Sequence, residues 1–155
     1  MADQVITLVN KLIPITVNES ALKDFTHYSD IKFSDINDAS FTTQGDTVSV
    51  QLGSTGDNYV VSKALLDVVE AFATTGTLTA QAGTVTDPDN FITASDVLVA
   101  GPKIAAAGAV PATLAGSSGA SSEELQVRFT TQGGTGAPAD ITAGKVRVYL
   151  NLYSR

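Results

Sequence analysis

Residues Lys145 to Arg155 read K-V-R-V-Y-L-N-L-Y-S-R, and apolar side chains alternate with polar ones along this segment. One face of an extended chain would carry Val146, Val148, Leu150 and Leu152. The opposite face would carry Lys145, Arg147, Tyr149, Asn151 and Tyr153. A period of two residues is typical of a β-strand that packs one side on a core. We therefore expect the chain to close on a strand that belongs to a sheet.

The same alternation occurs upstream in three further segments, each bounded by glycine-containing turns. Their alternating apolar residues are Val48, Val50 and Leu52; Leu78, Ala80 and Ala82; and Leu125, Val127 and Phe129. Threonine, valine and isoleucine together supply 43 of the 155 residues, and β-branched side chains favour strands over helices. The sequence thus predicts an all-β fold, an antiparallel β-sandwich with at most one short helix.

One segment fits two patterns. The apolar residues from Val61 to Phe72 match the i, i+3, i+4, i+7 spacing of an amphipathic helix. The segment has no N-terminal capping box, contains three valines, and is flanked by turn residues, so a strand covered on both faces fits as well. The residues alone leave both alternatives open.

Length and composition indicate one soluble domain, residues 1–155, with a core of its own. The chain has no cysteine, which excludes disulfides and thiolate sites, and no apolar segment long enough for a membrane span or an export signal. Nine basic residues against sixteen acidic ones give a net charge of −7. Such a surface repels phosphate backbones and anionic lipids, so neither nucleic acid nor membrane is an expected partner.

Charge is distributed unevenly along the chain. Residues 34–102 contain nine acids and one lysine, whereas residues 125–155 contain four bases and one acid. One interpretation is a solvated acidic face. The other is that oppositely charged surfaces of neighbouring copies meet head-to-tail.

Two segments at the periphery of the predicted sandwich lack the pattern of a central strand. Residues 1–20 are expected to form an N-terminal arm, in which Pro14 confines any strand from Ile13 to Val17 to a sheet edge. Residues 101–122 contain seven Ala, four Gly and four Ser, which predicts either a mobile surface loop or an arm that becomes ordered against a partner.

Motifs for chemistry are scarce, and no catalytic, cofactor-binding or metal-binding residue is predicted. His27 is the only histidine, and no G-x-S-x-G motif presents a serine to it. Asp87-Pro-Asp-Asn90 begins like a calcium loop, but Phe91 stands where the next oxygen ligand is needed. The glycine-rich stretch 133–136 and Gly144-Lys145 lack the context of a phosphate-binding loop and suit hairpins. The sequence predicts a protein without an enzymatic activity, a cofactor or a small-molecule substrate.

Three stretches resemble small virion proteins of tailed bacteriophages, including head decoration or cement proteins with jelly-roll-like sandwiches. These stretches are D-V-V-E-A-F at residues 67–72, G-T-L-T-A-Q-A-G-T-V-T-D-P-D-N-F-I at 76–92, and I-T-A-G-K-V-R-V-Y-L-N-L-Y at 141–153. They cover about two-fifths of the chain, and the motifs are structural. The resemblance implies a strand rather than a helix from Ser62 to Phe72, and a jelly-roll-like sandwich.

The resemblance also implies a role. It predicts a non-enzymatic capsid decoration protein that bridges capsomers of the phage head, contacts the major capsid protein, and forms homotrimers. The protein would be located on the capsid surface of the virion and assembled in the host cytoplasm. The alternative is a carbohydrate- or receptor-binding sandwich of a phage tail or fibre, in which Tyr149 and Tyr153 could stack on a sugar.

Overall fold

A computed structural model of the 155-residue chain shows how these patterns fold. The structure describes residues 3–7, 13–14, 25–37, 46–53, 59–85, 87–104, 112–113, 125–132 and 138–154.

The described residues form eleven strands, one short α-helix and one 3-10 turn. The strands are β1 Asp3–Thr7, β2 Ile13–Pro14, β3 His27–Lys32, β4 Thr47–Gly53, β5 Tyr59–Ala73, β6 Thr77–Thr84, β7 Ile92–Asp96, β8 Gly101–Ile104, β9 Ala112–Thr113, β10 Leu125–Gln132 and β11 Ala143–Ser154. The helix α1 spans Phe33–Ile36, and the 3-10 turn spans Pro138–Asp140.

The strands form two sheets. Sheet A has the order β1-β4-β10-β6-β7, and sheet B has the order β2-β3-β11-β5-β8, with β9 also paired to β5. Every pairing is antiparallel except that of β1 with β4, which is parallel. β11 is paired along most of its length with both β3 and β5, so it is a central strand of sheet B.

A single hydrophobic cluster lies between the two sheets. Sheet A contributes buried residues of β4, β6 and β10, and sheet B contributes buried residues of β3, β5 and β11. The rings of Phe72 on β5 and Phe129 on β10 meet across this layer at a centroid distance of 5.7 Å. Two antiparallel sheets packed face to face around one core confirm the predicted all-β sandwich.

The alternating segments behave as predicted. The apolar residues named above for β4, β6 and β10 are all buried, as are Val146, Val148 and Leu150 of β11. Arg147 and Asn151 lie on the opposite side of β11 and are partly exposed. The side chains of residues 152–154 lie outside the described part of the chain.

The ambiguous segment is a strand, because it lies within the 15-residue β5. Ala64, Leu66 and Val68 are buried at a spacing of two residues, and the next inward residue is Phe72. Between Val68 and Ala73, β5 has two residues more than the stretch of β11 with which it pairs. Val146 pairs with Val68, but Lys145 pairs with Glu70, which leaves one extra residue on β5. Ala143 then pairs with Ala73, which leaves a second. These β-bulges restore the inward direction at Phe72 and produce the four-residue spacing that imitates a helix.

Phe72 is held against a glycine of the neighbouring strand. A Cβ built on Gly144 would overlap the ring of Phe72, and Gly144 has a φ of +133°, which side-chain-bearing residues rarely adopt. The backbone N–H of Phe72 donates to the carbonyl of Val97 at 3.0 Å, and this bond ties β5 to the chain that follows β7. Phe72 therefore joins three segments at one point of the core.

The predictions for the peripheral segments need correction where residues are described. The expected loop 101–122 begins with β8, whose residues pair with Leu65 to Val68 of β5, and it contains β9. In the N-terminal arm, β1 lies on the edge of sheet A and β2 on the edge of sheet B, which agrees with an edge position for Pro14. The rest of both segments lies outside the described residues.

We expect Gly144→Ala to destabilise the protein by about 3 kcal/mol or more, because a methyl group would displace the Phe72 ring and the positive φ adds strain. Gly101→Ala is the matched control, since Gly101 also has a positive φ (+128°) but no atom within 4 Å of the added Cβ. It should cost only about 1–2 kcal/mol. Urea denaturation of both variants measures the difference, and equal losses would contradict the proposed packing.

Candidate interaction surfaces

The outer face of sheet B carries a charged cluster built across adjacent strands. Arg147 on β11 lies opposite Asp30 on β3, and its guanidinium donates two hydrogen bonds to the carboxylate, from Nε at 2.6 Å and from Nη2 at 2.9 Å. The guanidinium also lies 4.6 Å from the centre of the Tyr28 ring. Lys145 Nζ is 3.6 Å from Asp30 Oδ2. Bidentate bonding and ring stacking fix the orientation of Arg147.

Asp30 is ionised at neutral pH and remains so well into the acid range. The hydrogen bond from Arg147 lowers the pKa of Asp30, burial opposes this effect, and the positive charges of Arg147 and Lys145 add to the lowering. The same hydrogen bond raises the pKa of Arg147 above its ordinary value. The Asp30–Arg147 ion pair therefore stabilises the contact between β3 and β11. Neither of its two groups has a pKa near neutrality, which acid–base catalysis would need.

An aromatic cluster adjoins these charges and corrects one expectation. Tyr149 lies on the outer face of β11, yet its exposed fraction is only 7%. Its ring packs against Phe25, with centroids 5.5 Å apart, and against Tyr28, with centroids 6.5 Å apart. A sugar could not stack on a ring that is already covered in this way. The side chain of Tyr153, the other predicted stacking residue, lies outside the described part.

The outer face of sheet A has a different character. Its three inner strands β4, β10 and β6 align outward residues in rows, such as Thr47–Thr130–Thr79 and Ser49–Arg128–Gln81. The rows continue onto acidic residues on both sides, since Asp3 of β1 pairs with Thr47 and Asp96 of β7 pairs with Thr79. The outward residues of the three inner strands are Thr47, Ser49, Gln51, Thr77, Thr79, Gln81, Gln126, Arg128 and Thr130, of which Ser49 and Gln126 are buried. They comprise hydroxyls, amides and one arginine, whose Nε donates to Ser49 Oγ at 3.1 Å.

A third surface lies where β5 passes the connection between β7 and β8. Val68 pairs with Gly101, and the Phe72 N–H bonds to the Val97 carbonyl, so residues 96–101 run beside residues 68–72. Exposed side chains here are Val69, Glu70, Asp96 and Val99, which we call the acidic margin. Val69 and Val99 are 51% and 58% exposed.

The residues that the sequence analysis considered as candidates for catalytic, calcium-binding or phosphate-binding motifs belong to strands and turns of the sandwich wherever they are described. Thr26 Oγ1 and His27 Nδ1 are 2.8 Å apart, and burial lowers the pKa of His27. Asp87 closes the β6–β7 turn: its N–H donates to Thr84 Oγ1 at 3.2 Å, and its carbonyl accepts from the N–H groups of Thr84 and Asn90. Gly144-Lys145 lies in β11, whereas residues 133–136 are outside the described ranges.

Within the described ranges, no three His, Cys, Asp or Glu side chains are close enough together to hold a metal ion. Neither helix in that part of the chain approaches the length and apolar character of a membrane span. Comparison with protein-family models, curated proteins and solved structures finds no match.

Sequence reasoning missed two of these surfaces for different physical reasons. The Asp30–Arg147 pair is 117 residues apart in the chain and depends on strand pairing that the sequence does not reveal. The polar outer side of β4 and β6 had a visible signal, because T-x-S-x-Q at Thr47–Gln51 and T-x-T-x-Q at Thr77–Gln81 place uncharged polar residues at every outward position.

We expect Asp30→Asn to destabilise the protein by about 1 kcal/mol at about pH 7, the upper end for a partly exposed ion pair, because two charge-assisted hydrogen bonds are lost. Since folding lowers the pKa of Asp30, its contribution is present above about pH 4 and is lost as the pH falls through the folded-state pKa. Urea denaturation between about pH 7 and about pH 2 should show the difference from wild type shrinking towards zero.

Asp89→Asn provides the control for this measurement, because Asp89 is an exposed acid in the β6–β7 turn. It should leave the unfolding free energy nearly unchanged at every pH. A loss for Asp30→Asn that persists unchanged at the acid end would show that charge does not cause it.

Proposed function

We propose that this chain is a non-enzymatic structural protein of a tailed-phage virion, a capsid decoration protein that bridges neighbouring capsomers on the outer surface of the head. Its partners are the major capsid protein and further copies of itself, assembled as a trimer. The sandwich would serve as a rigid platform, and its outer faces, edges and loops would make the contacts.

The observation that carries this proposal is the order of the strands. Numbering the eight strands β3 to β8, β10 and β11 from one to eight in chain order gives 1-8-3-6 in sheet B and 2-7-4-5 in sheet A. This order supports the proposal of a jelly roll, a double-sheet arrangement that viral capsid domains use. We propose that the sandwich is a jelly roll extended by β1, β2 and β9 at its edges.

The three stretches that resemble virion proteins support the same proposal at the level of the fold. The E-A-F stretch supplies Phe72, and the T-A-G stretch supplies Gly144, on which Phe72 packs. In the G-T-L stretch, a Cβ on Gly83 would overlap the carbonyl oxygen of Asp87 and the backbone of Pro88. These residues are packing determinants of a sandwich, so the step from fold to role is made by analogy.

The chemistry of the surfaces suits assembly. The described residues present polar sheet faces, an Asp30–Arg147 ion pair and exposed valines, all of which can take part in protein contacts. A decoration protein needs only weak contacts at each site, because simultaneous contacts with several capsomers raise the overall affinity. A folded sandwich that changes little on binding keeps the ordering cost of each contact small.

Heads of the phage that encodes this chain, prepared from a mutant lacking the gene, provide the direct test. Added protein should bind expanded heads to saturation, in a fixed ratio to the major capsid protein, and should raise the temperature at which the heads release DNA. The same preparation should fail to bind purified tails. Binding to tails or to a glycan array with no binding to heads would overturn the proposal in favour of a receptor-binding module.

A further inference from the structure

The acidic margin lies on backbone that both sheets hold in place. The Val97 N–H donates to the carbonyl of Leu78 in sheet A at 3.2 Å, and the Val97 carbonyl accepts from the Phe72 N–H of sheet B at 3.0 Å. Val97 itself is fully buried. Residues 96–101 are therefore anchored along this side of the sandwich, and the exposed side chains of the margin lie on a preformed surface. A partner that binds there pays little for ordering it.

Apolar side chains form one part of this surface. Val69 on β5 and Val99 on the connection between β7 and β8 are both more than half exposed. Because Val68 pairs with Gly101, these two valines belong to chain segments that run side by side. Ala100, next to Val99, is exposed as well. Covering these side chains would remove apolar area from water, which favours contact with an aliphatic group.

Two carboxylates form the other part of the margin. Glu70 makes no hydrogen bond or ion pair with any described residue. Lys145 lies opposite it on β11, but the Lys145 ammonium group contacts Asp30 instead. Asp96 accepts a hydrogen bond from the Leu98 N–H through Oδ1, and no basic side chain in the described ranges pairs with it. Both carboxylates are exposed, so both can accept charge-assisted hydrogen bonds from a partner.

The chemistry of the margin specifies the chemistry of its partner. Aliphatic area beside two negative charges is complementary to a segment in which lysine or arginine flanks an aliphatic residue. A second copy of this chain is a poor source of such a segment, because copies with a net charge of −7 repel each other. In addition, three of its described bases, Arg128, Lys145 and Arg147, already contact acceptors within their own chain.

We infer that the acidic margin is the docking surface for a basic segment of a different protein, in which lysine or arginine residues flank an aliphatic side chain. The aliphatic side chain would cover Val69 and Val99, and the basic groups would pair with Glu70 and Asp96. The inference rests on the proposed function only for the identity of the partner, which is then the major capsid protein. Because charge contributes to the contact, its affinity should fall as the salt concentration rises.

A peptide titration tests the surface without the capsid. The probe is a synthetic peptide of sequence K-L-R-L-K, added to isotope-labelled protein at low salt and followed by amide NMR. We expect shifted signals for residues 68–72 and 96–101, with a dissociation constant of about 1 mM or lower. The peptide E-L-E-L-E should shift none of them. Unshifted signals at the margin, or shifts of equal size in the Asp87–Asp89 turn, would overturn the inference.

Matched substitutions separate the charge of the margin from the charge of the whole protein. Glu70→Gln and Asp89→Asn each remove one exposed carboxylate, the first within the margin and the second in the β6–β7 turn. Glu70→Gln should weaken binding of the basic peptide about threefold or more, whereas Asp89→Asn should leave it unchanged. Val69→Ser/Val99→Ser should also weaken binding but keep its salt dependence, because it removes apolar area and no charge. Circular dichroism should show each variant folded.

Binding to heads that lack this protein tests the identity of the partner. Glu70→Gln/Asp96→Asn should bind such heads at least about tenfold more weakly than wild type, and Asp89→Asn should bind as wild type does. Equal binding by all three proteins would overturn the inference and leave the proposed function intact. Wild-type protein that binds the basic peptide at the margin but does not bind heads would support the docking surface and overturn the proposed function. Self-association in sedimentation velocity that Glu70→Gln/Asp96→Asn abolishes would assign the margin to a second copy and overturn the inference.

Discussion

The packing of Phe72 on Gly144 fixes how the two sheets meet. β5 has two bulges between Val68 and Ala73 and still directs Phe72 towards the core, and the missing side chain of Gly144 makes room for its ring. The ring reaches Phe129 of the opposite sheet, and the Phe72 backbone bonds to Val97. Strand pairing alone would leave the sheets free to shift relative to each other. This contact couples strand register within sheet B to the position of sheet A.

In a sandwich that is held together by its core, the residues that stabilise the fold differ from the residues that are exposed to partners. The core fills the space between the sheets, so the polar and charged residues of the two outer faces can differ. The two faces do differ in these residues. Sheet B carries the Asp30–Arg147 pair, whose charges largely satisfy each other, whereas the described inner strands of sheet A present uncharged polar groups around Arg128. Charges that are already paired contribute little to new contacts. The exposed acids and valines of the acidic margin are therefore better suited to binding partners.

The sequence predicted those parts of the fold in which one face of a strand is buried and the other is polar. β4, β6, β10 and β11 meet this condition, and their inward residues were assigned correctly wherever the structure describes the side chains. β5 does not, because Leu65 and Val69 are apolar residues on its outer side and the bulges interrupt its period. The burial of Tyr149 was missed because its cover, Phe25, is distant in sequence and is brought near only by the pairing of β3 with β11.

Proton NMR of the folded protein tests the central contact most directly. An aromatic ring lying on a glycine Cα shifts the signals of its α-protons strongly upfield. The account predicts such a shift for Gly144, with nuclear Overhauser contacts from its α-protons to the Phe72 ring and from that ring to Phe129. Substituting Phe72 by leucine should return the Gly144 signals to ordinary values. Unshifted Gly144 signals in the wild-type protein, or helical chemical shifts from Val61 to Phe72, would contradict it.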